Sequence, residues 1–363
     1  MLGLTAQNRL YLDHAATTPV LPEARAAIAH ALETWANPSS PHADGRAARA
    51  ALERARADIA DALGWRHDII FTSGATESIA IAVARARVPG RAYGATEHDA
   101  VGAAMPTDAR ILAVDRNGLI DFAALDDFLA DGPALVAIQQ VNNETGVIQP
   151  IAQIAERVRA AGSLLLADCA QGAGKLPLPD ADFIAIAAHK IGGPPGFGAL
   201  LVTDVANLSA IGGQERGYRR GTENLPLAAG LASALASRAF VDAMPRLSEL
   251  RQTLDAQIRQ DGGVVIASDA DRSAAIGAYG MPGVASASQL VQFDLAGISV
   301  SAGSACSSGS MKPSKVLGAM DVPADVASTA IRVSFGPDTS DADLERFLSE
   351  WRRIRMRASS RAA

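Results

Sequence analysis

The sequence predicts an α/β protein, with a mostly parallel sheet covered by helices and a smaller α+β part after it. Two observations predict this class. Short apolar runs alternate with helical patterns through much of the chain, which is typical of parallel strands joined by helical crossovers. The length of 363 residues is enough for two domains, each with its own core.

Each element is predicted from its own local pattern. The opening run, residues 9–13, is apolar and short enough for a strand. A first helix begins at Pro22, which suits the first helical turn, and a second ends at Gly64. The helices are predicted near 22–35, 45–63, 76–87, 150–161, 225–258 and 340–356. The strands after the first are predicted at 69–71, 135–141, 164–167, 183–187, 199–202 and 331–335.

Composition narrows the range of partners. The net charge of −6 gives no electrostatic reason to expect nucleic acid or an anionic membrane as a main partner. No apolar run approaches the length of a membrane span, and no targeting segment is apparent, so we expect a cytoplasmic protein. Two cysteines cannot form a disulfide framework or a four-ligand zinc site, and we expect no metal.

Lys190 is the strongest indication in the sequence of a catalytic role. It is one of only four lysines and follows an apolar run, and a buried ammonium is costly unless it is paired or neutral. Asp168 ends another apolar run, and the carboxyl ends of parallel strands line one crevice. Pyridoxal phosphate requires a lysine that can form a Schiff base with its aldehyde and an acid that can pair with its pyridinium nitrogen. A strand-end lysine that reaches water and a capping aspartate are the alternatives.

Weaker patterns surround these two residues. Residues 72–78 read as strand, small-residue turn and helix start, which suits a phosphate, although a plain capped turn fits as well. His98 follows a short apolar run and is either a ring-stacking or proton-moving group or a surface histidine. Asn143 and Gln171 are amides that suit a cofactor oxygen, and the two asparagines at 142–143 also suit a tight turn.

Cys306 lies in a run of small polar residues, Ser-Ala-Gly-Ser-Ala-Cys-Ser-Ser-Gly-Ser, at positions 301–310. Such a run cannot form a large core, and Lys312 and Lys315 follow it closely. A thiol in this setting is typical of a nucleophile that must travel. The alternative is an incidental loop cysteine.

Together these segments resemble the cysteine desulfurase family, which are pyridoxal-phosphate enzymes of fold type I in the class V aminotransferase group. Members supply sulfur for iron–sulfur clusters and tRNA thiolation. The resemblance runs from Tyr11 to about Phe335, and the cysteine-containing segment resembles the branch with a long mobile cysteine loop. The matching segments, in order, are 11–19, 37–42, 72–78, 97–98, 142–146, 168–171, 189–190, 212–224, 301–308 and 331–336.

The resemblance implies a domain plan and a homodimer. The large cofactor-binding domain is expected at 13–245, with a mostly parallel seven-stranded sheet. The small α+β domain is expected to comprise 1–12 and 246–363 and to carry the cysteine loop at about 301–312. Thr222 would reach the phosphate of the other subunit's cofactor. The implied substrate is L-cysteine, and the implied partner is a sulfur-acceptor protein, either an iron–sulfur scaffold or a thiolation relay.

The resemblance also implies residue roles. Lys190 would form a Schiff base with pyridoxal 5′-phosphate and later move the Cα proton. Cys306 would take the substrate sulfur as a persulfide, and His98 would be a ring-stacking acid or base. Asn37 and Arg332 would bind the substrate carboxylate. The remaining cofactor-binding residues would be Ala75, Thr76, Asn143, Asp168, Gln171 and His189.

Three positions depart from the pattern of the family. Ala187 stands where a serine commonly binds the phosphate, so cofactor affinity is expected to suffer. His14 stands where asparagine is frequent, and Cys169, where a small non-thiol residue is usual, is interpreted as core packing. The alternatives in function are selenocysteine lyase or another fold-type-I enzyme and, from a different class, a weakly catalytic sulfur carrier or partner protein.

Overall fold

The computed structural model describes residues 9–303 and 313–362, with side chains as far as residue 358. The strands in these ranges are β1 (Leu10–Tyr11), β2 (Asp68–Thr72), β3 (Gly90–Gly94), β4 (Arg110–Leu112), β5 (Ala134–Gln139), β6 (Leu164–Asp168), β7 (Phe183–Ala187), β8 (Gly198–Val202), β9 (Val264–Val265), β10 (Ile276–Gly280), β11 (Ile298–Ser299) and β12 (Ala330–Ser334). The helices are α1 (Pro22–Glu33), α2 (Ala43–Leu63), α3 (Ala75–Arg85), α4 (Asp99–Ala104), α5 (Phe122–Leu129), α6 (Ile151–Ala160), α7 (Leu225–Ala236), α8 (Ala239–Gln260), α9 (Ser286–Leu295), α10 (Lys315–Ala319), α11 (Ala324–Ala327) and α12 (Asp341–Ala362).

The main sheet has seven strands in the order β2-β8-β7-β6-β5-β3-β4. Neighbouring strands from β7 to β4 are parallel, and β8 runs antiparallel to both β2 and β7. Six strands therefore point the same way, which confirms the predicted α/β fold with a mostly parallel seven-stranded sheet. Their carboxyl ends meet at one edge of the sheet, where a ligand site is expected.

Helices cover both faces of this sheet. The helices α2, α5, α6 and α7 pack on one face, with Leu52 and Ile154 in its core. The helices α3 and α4 pack on the other, with Ile79 and Val101 in its core. The central strands are buried on both faces for this reason, and their sequences are continuous apolar runs rather than alternating ones.

The C-terminal part is built on a smaller antiparallel sheet, in the order β12-β10-β9. Its core includes Phe293 and Phe347, whose rings stack with centroids 5.1 Å apart, and Trp351. The first strand belongs with this part, since Leu10 pairs with Ile298. The domain limits expected at residues 12/13 and 245/246 stay a prediction.

The long helix predicted at 225–258 is two helices, α7 and α8, bent by 46° at the break between them. Arg238 occupies the break with a left-handed backbone (φ 55°), which an α-helix cannot accommodate. Neither glycine nor proline stands at the break, so the local pattern did not reveal it. Among the described residues no single helix is long and apolar enough to span a membrane. The bent pair α7 and α8 reaches that length and composition only when the two helices are taken together.

Candidate active site

A cavity of about 460 Å³ opens at the carboxyl ends of β2, β5, β6 and β7. Most of the predicted site residues line it, although they are scattered over more than 250 positions of the chain. Those brought together are Ala75, Thr76, His98, Asn143, Asp168, Gln171, His189, Lys190 and Arg332. The location is the one that the direction of the strands predicts.

Lys190 reaches the cavity from a short 3-10 turn that directly follows β7. Its Nζ donates hydrogen bonds to the carbonyl oxygens of Ala15 (2.7 Å) and Ala16 (2.8 Å). Both acceptors belong to the segment after β1, which itself lines the cavity. The amine is therefore held at the cavity wall by main-chain groups.

Asp168 is the last residue of β6 and is buried. Its Oδ1 accepts a hydrogen bond from the N–H of Ala170 at 2.9 Å. Burial raises the pKa of Asp168, while that N–H and the electrostatic influence of His98 and Lys190 oppose the rise. A buried carboxylate of this kind is well suited to a cationic partner such as a protonated ring nitrogen.

His98 is oriented by the start of α4. Its Nδ1 accepts a hydrogen bond from the N–H of Ala100 at 3.1 Å, which gives the neutral ring its proton on Nε2. The neighbouring Glu97 turns inward, where its Oε1 accepts from the N–H of Gln139 at 2.9 Å. Burial raises the pKa of Glu97 well above its usual value, and the charge of Asp168 adds to this, so we expect a neutral carboxyl group.

One end of the cavity has the features of a phosphate site. The helix α3 begins there at Ala75 without a side-chain cap, so its first N–H groups are available to an anion. Burial and the charges of Lys190 and Lys175 lower the pKa of His189 to about 4, so its ring is neutral at pH 7. Ala187 lies in this wall and contributes no hydroxyl group.

Two further groups face the middle of the cavity. The Nε2 of Gln171 donates to the Ala15 carbonyl at 2.8 Å. Its Oε1 is shielded from solvent and has no hydrogen-bond partner among the described residues. Asn143 lines the cavity, while the adjacent Asn142 is structural, since its Oδ1 accepts from the backbone N–H groups of Glu144 and Thr145.

Arg332, on β12, closes one side of the cavity. Its Nη1 donates to the Asn143 carbonyl oxygen at 2.9 Å, and its Nη2 lies 2.7 Å from the Oδ1 of Asp13. The guanidinium that the resemblance assigns to the substrate carboxylate is thus paired with a carboxylate of the chain itself. Sequence reasoning missed the role of Asp13, because nothing local links two residues 319 positions apart.

The chain on either side of residues 304–312 lies beside an adjoining pocket of about 110 Å³. On the N-terminal side, Ser301 and Arg332 exchange backbone hydrogen bonds of 3.2 and 2.7 Å. On the C-terminal side, the Ser314 hydroxyl donates to the Oε2 of Glu144 at 2.6 Å. Lys315 pairs with Asp99 at 2.9 Å. Cys306 itself lies outside the described residues, so its predicted role stays a prediction.

Asn37 and Thr222 do not line the cavity of a single chain. The Oδ1 of Asn37 instead accepts from the N–H of Ser39 at 2.9 Å, which uses the side chain in a local turn. Thr222 is exposed and lines a groove with Leu32 and Trp35. The substrate role of Asn37 and the cross-subunit role of Thr222 stay predictions.

Two buried titratable residues complete the surroundings. Cys169 is buried in the core, where burial raises the pKa of its thiol well above the usual range, as suits a packing residue. Lys175 is also buried, with its Nζ 4.7 Å from the centre of the Phe240 ring. Burial and the charge of Lys190 lower its pKa to about 7. Its status as one of four lysines was a signal that sequence reasoning did not use.

Comparison with known proteins agrees with this geometry. The family model described as Aminotransferase class-V matches residues 10–347. This chain belongs to the class-V aminotransferase family. Within it, the chain groups with the cysteine desulfurases: a relative named cysteine desulfurase from Bradyrhizobium diazoefficiens is 39% identical over 98% of both chains.

Further relatives agree. An IscS-like cysteine desulfurase from Mycobacterium tuberculosis is 37% identical, over 92% of this chain and 93% of that protein. The NifS-like protein from Rickettsia africae superposes with a TM-score of 0.88 and 29% identity, over 96% of this chain and 99% of that one. The structure described as SspA in complex with cysteine gives a TM-score of 0.76 and 27% identity, over 92% of this chain and all of that one.

Proposed function

We propose that this protein is a pyridoxal-phosphate-dependent cysteine desulfurase that converts L-cysteine to L-alanine and passes the sulfur to Cys306 as a persulfide. The observation that carries the proposal is the meeting of Lys190 and Asp168 in one cavity, beside an uncapped helix start. Membership in the family, and a relative whose structure is described as a complex with cysteine, support the choice of substrate.

The groups around the cavity fit pyridoxal phosphate. Lys190 would hold its aldehyde carbon, Asp168 its ring nitrogen, and the start of α3 together with His189 its phosphate. The shielded Oε1 of Gln171 has no partner among the described residues and would suit a polar group of the ring. The cofactor, when bound, supplies an electron sink for the bonds at the substrate Cα.

The residues of the chain then have separate tasks. Arg332 binds the substrate carboxylate, which orients the Cα–H bond. Lys190 moves the Cα proton through its Nζ, and His98 presents Nε2 as a second proton carrier. The Cys306 thiolate attacks the substrate sulfur, the Cβ–S bond breaks, and L-alanine leaves. A sulfur-acceptor protein, either an iron–sulfur scaffold or a thiolation relay, then removes the sulfur from the persulfide.

The proposal includes a cytoplasmic homodimer. Leu32 and Trp35 are large apolar side chains that are 60% and 44% exposed, and they lie beside Thr222 in one groove. A second copy covering this groove would bring Thr222 toward the phosphate of its partner. The proposed location rests on the sequence, in which two cysteines provide no disulfide framework.

Reductive trapping tests the proposal. We expect the purified protein to bind pyridoxal phosphate with a visible absorption band that borohydride bleaches, and peptide mass spectrometry to locate the reduced adduct on Lys190. Lys190→Ala should lack the trapped adduct, whereas the control Lys315→Ala, which removes an exposed lysine, should keep it. An adduct on another lysine, or none in the wild type, would contradict the proposal.

A further inference from the structure

We propose that Asp13 acts as a built-in competitor for the substrate carboxylate: it holds Arg332 when no substrate is bound and yields it to an α-amino acid in preference to a simple carboxylate. Asp13 is thereby a specificity-determining residue. The identity of the substrate in this inference rests on the proposed function. The competition between Asp13 and a ligand carboxylate for one guanidinium does not.

Two nitrogens of the Arg332 guanidinium already have acceptors. The side chain of Arg332 is only 8% exposed. Its Nη1 donates to the Asn143 carbonyl and its Nη2 to Asp13, while its Nε is shielded from solvent and has no partner among the described residues. Three N–H donors of the guanidinium remain, but both of its two-point edges include Nη2, so a ligand carboxylate with the usual grip must lie against the Asp13 carboxylate or replace it.

Asp13 is the contact that can be displaced. The carbonyl of Asn143 is part of the backbone, in a turn held by hydrogen bonds to the Asn142 side chain and closed by Gly146. The Asp13 carboxylate is a side-chain group, 21% exposed, on the wall of the adjoining pocket. The backbone beside it is fixed, because the N–H of Ser334 donates to the Leu12 carbonyl at 2.8 Å. Release of Arg332 therefore requires only a side-chain rotation.

The charges of the pocket explain why the exchange favours an amino acid. The adjoining pocket is also lined by Glu144 and by Lys315, but Lys315 is already paired with Asp99. The buried Glu97 beside them is neutral and provides no charge. A simple carboxylate that displaces Asp13 leaves that charge without a cationic partner, which is unfavourable. A zwitterionic amino acid brings an ammonium group for the released Asp13 as well as a carboxylate for Arg332. It can therefore replace both halves of the ion pair.

Propionate is the probe, because it has the carboxylate of an amino acid but no amino group to react with a cofactor. In titration calorimetry on the holoenzyme, we expect wild type to bind propionate weakly. Asp13→Asn, which keeps the size and shape of the side chain and removes its charge, should bind it about five- to thirtyfold more tightly. Asp13→Ser provides a second variant with the same expected direction.

Asp99→Asn is the matched control. It removes the same charge from the same pocket, but Asp99 pairs with Lys315 and does not contact Arg332. We expect it to change propionate affinity by less than about twofold. An equal gain in both variants would mean that general electrostatics act instead, and would overturn the proposal. Unchanged or weaker propionate binding in Asp13→Asn would also overturn the proposal, because Asp13 would then support Arg332 rather than compete for it.

Turnover separates this proposal from the proposed function. In Asp13→Asn, the ratio of the propionate inhibition constant to the KM for L-cysteine should fall at least about fivefold, because selection against the simple carboxylate is lost. A protein that released no alanine would contradict the proposed function. Its propionate titrations would still decide whether Asp13 competes for Arg332.

Discussion

Asp168 and Lys190 lie at the carboxyl ends of short strands and line one cavity, and Glu97, after another strand, lines the adjoining pocket. For the first two, the sequence was sufficient, because a charge at the end of a buried apolar run requires a partner or a chemical role. For Glu97 it was not, because its inward orientation depends on the Gln139 N–H, 42 positions away. Local sequence therefore identifies the titratable side chains at strand ends, and tertiary contacts decide how each one is oriented.

The buried Lys175 is expected to make the free energy of unfolding depend on pH. Its pKa is lowered from 10.5 to about 7 by burial and by Lys190. Between these values the unfolded chain holds a proton that the folded protein has lost, so this group makes the free energy of unfolding rise with pH, by up to about 1.4 kcal/mol per unit. Its burial is therefore most destabilising below pH 7.

Lys175→Met keeps an unbranched side chain only one atom shorter and removes the charge. We expect it to raise the free energy of unfolding at pH 6.5, and to flatten the rise between pH 7 and 10, as measured by urea unfolding across that range. Lys315→Met, which removes an exposed lysine, should change neither quantity appreciably. A pH dependence in Lys175→Met as steep as in wild type would show that Lys175 stays charged in the fold.

Ala187 provides a prediction about cofactor affinity. Its methyl group lies in the cavity wall near the start of α3, where the family commonly has a serine. Ala187→Ser adds a hydroxyl donor for the phosphate, worth about 1.5–3 kcal/mol, so pyridoxal phosphate should bind at least about tenfold more tightly. Equilibrium dialysis measures this directly. Ala170→Ser, on the Asp168 side of the cavity, should not improve binding, and an equal gain there would contradict the assignment.

At the scale of elements, the strands that carry the site were largely predictable. The strand at 183–187 matches its prediction, and those near 69–71, 135–141 and 164–167 differ by one or two residues at their ends. Their burial on both faces produces continuous apolar runs. The short elements β4, α5, α10 and α11 were not predicted, because three to eight residues carry too little periodicity to be recognised.

The ends of helices provide a paired stability prediction. Gly64 ends α2 with a left-handed backbone (φ 66°), and a Cβ there would meet nothing within 4 Å. Arg238 has a similar conformation (φ 55°) between α7 and α8. Gly64→Ala should lower the free energy of unfolding by about 1 kcal/mol, and Arg238→Gly should raise it by a similar amount. Denaturant unfolding would contradict this account if both changes had the same sign.

Contacts between distant elements account for the parts of the site that could not be predicted. The pairs Asp13–Arg332 and Glu144–Ser314 join residues 319 and 170 positions apart. Both depend on the packing of the C-terminal part against the strand ends of the main sheet. No periodic pattern encodes that packing, so sequence reasoning identified Arg332 but not the residue that holds it.

At the scale of the whole molecule, the proposed homodimer predicts that Trp35 is required for assembly. Trp35→Glu places a charge in the groove beside Thr222, so we expect sedimentation analysis to show a monomer with weakened cofactor binding. Leu295→Glu is the matched control, because Leu295 is 81% exposed on α9, outside that groove. It should leave the dimer intact. If only Leu295→Glu disrupted the dimer, the interface would lie elsewhere.

The release of L-alanine from L-cysteine in the presence of a reductant would decide whether this protein is a desulfurase that works through Cys306. Wild type, Lys190→Ala, Cys306→Ser and the buried-thiol control Cys169→Ala would be compared, with the persulfide located by mass spectrometry. We expect alanine from wild type and Cys169→Ala, none from Lys190→Ala or Cys306→Ser, and a persulfide on Cys306. Alanine release by Cys306→Ser at the wild-type rate would contradict this expectation, because sulfur would then leave without passing through Cys306.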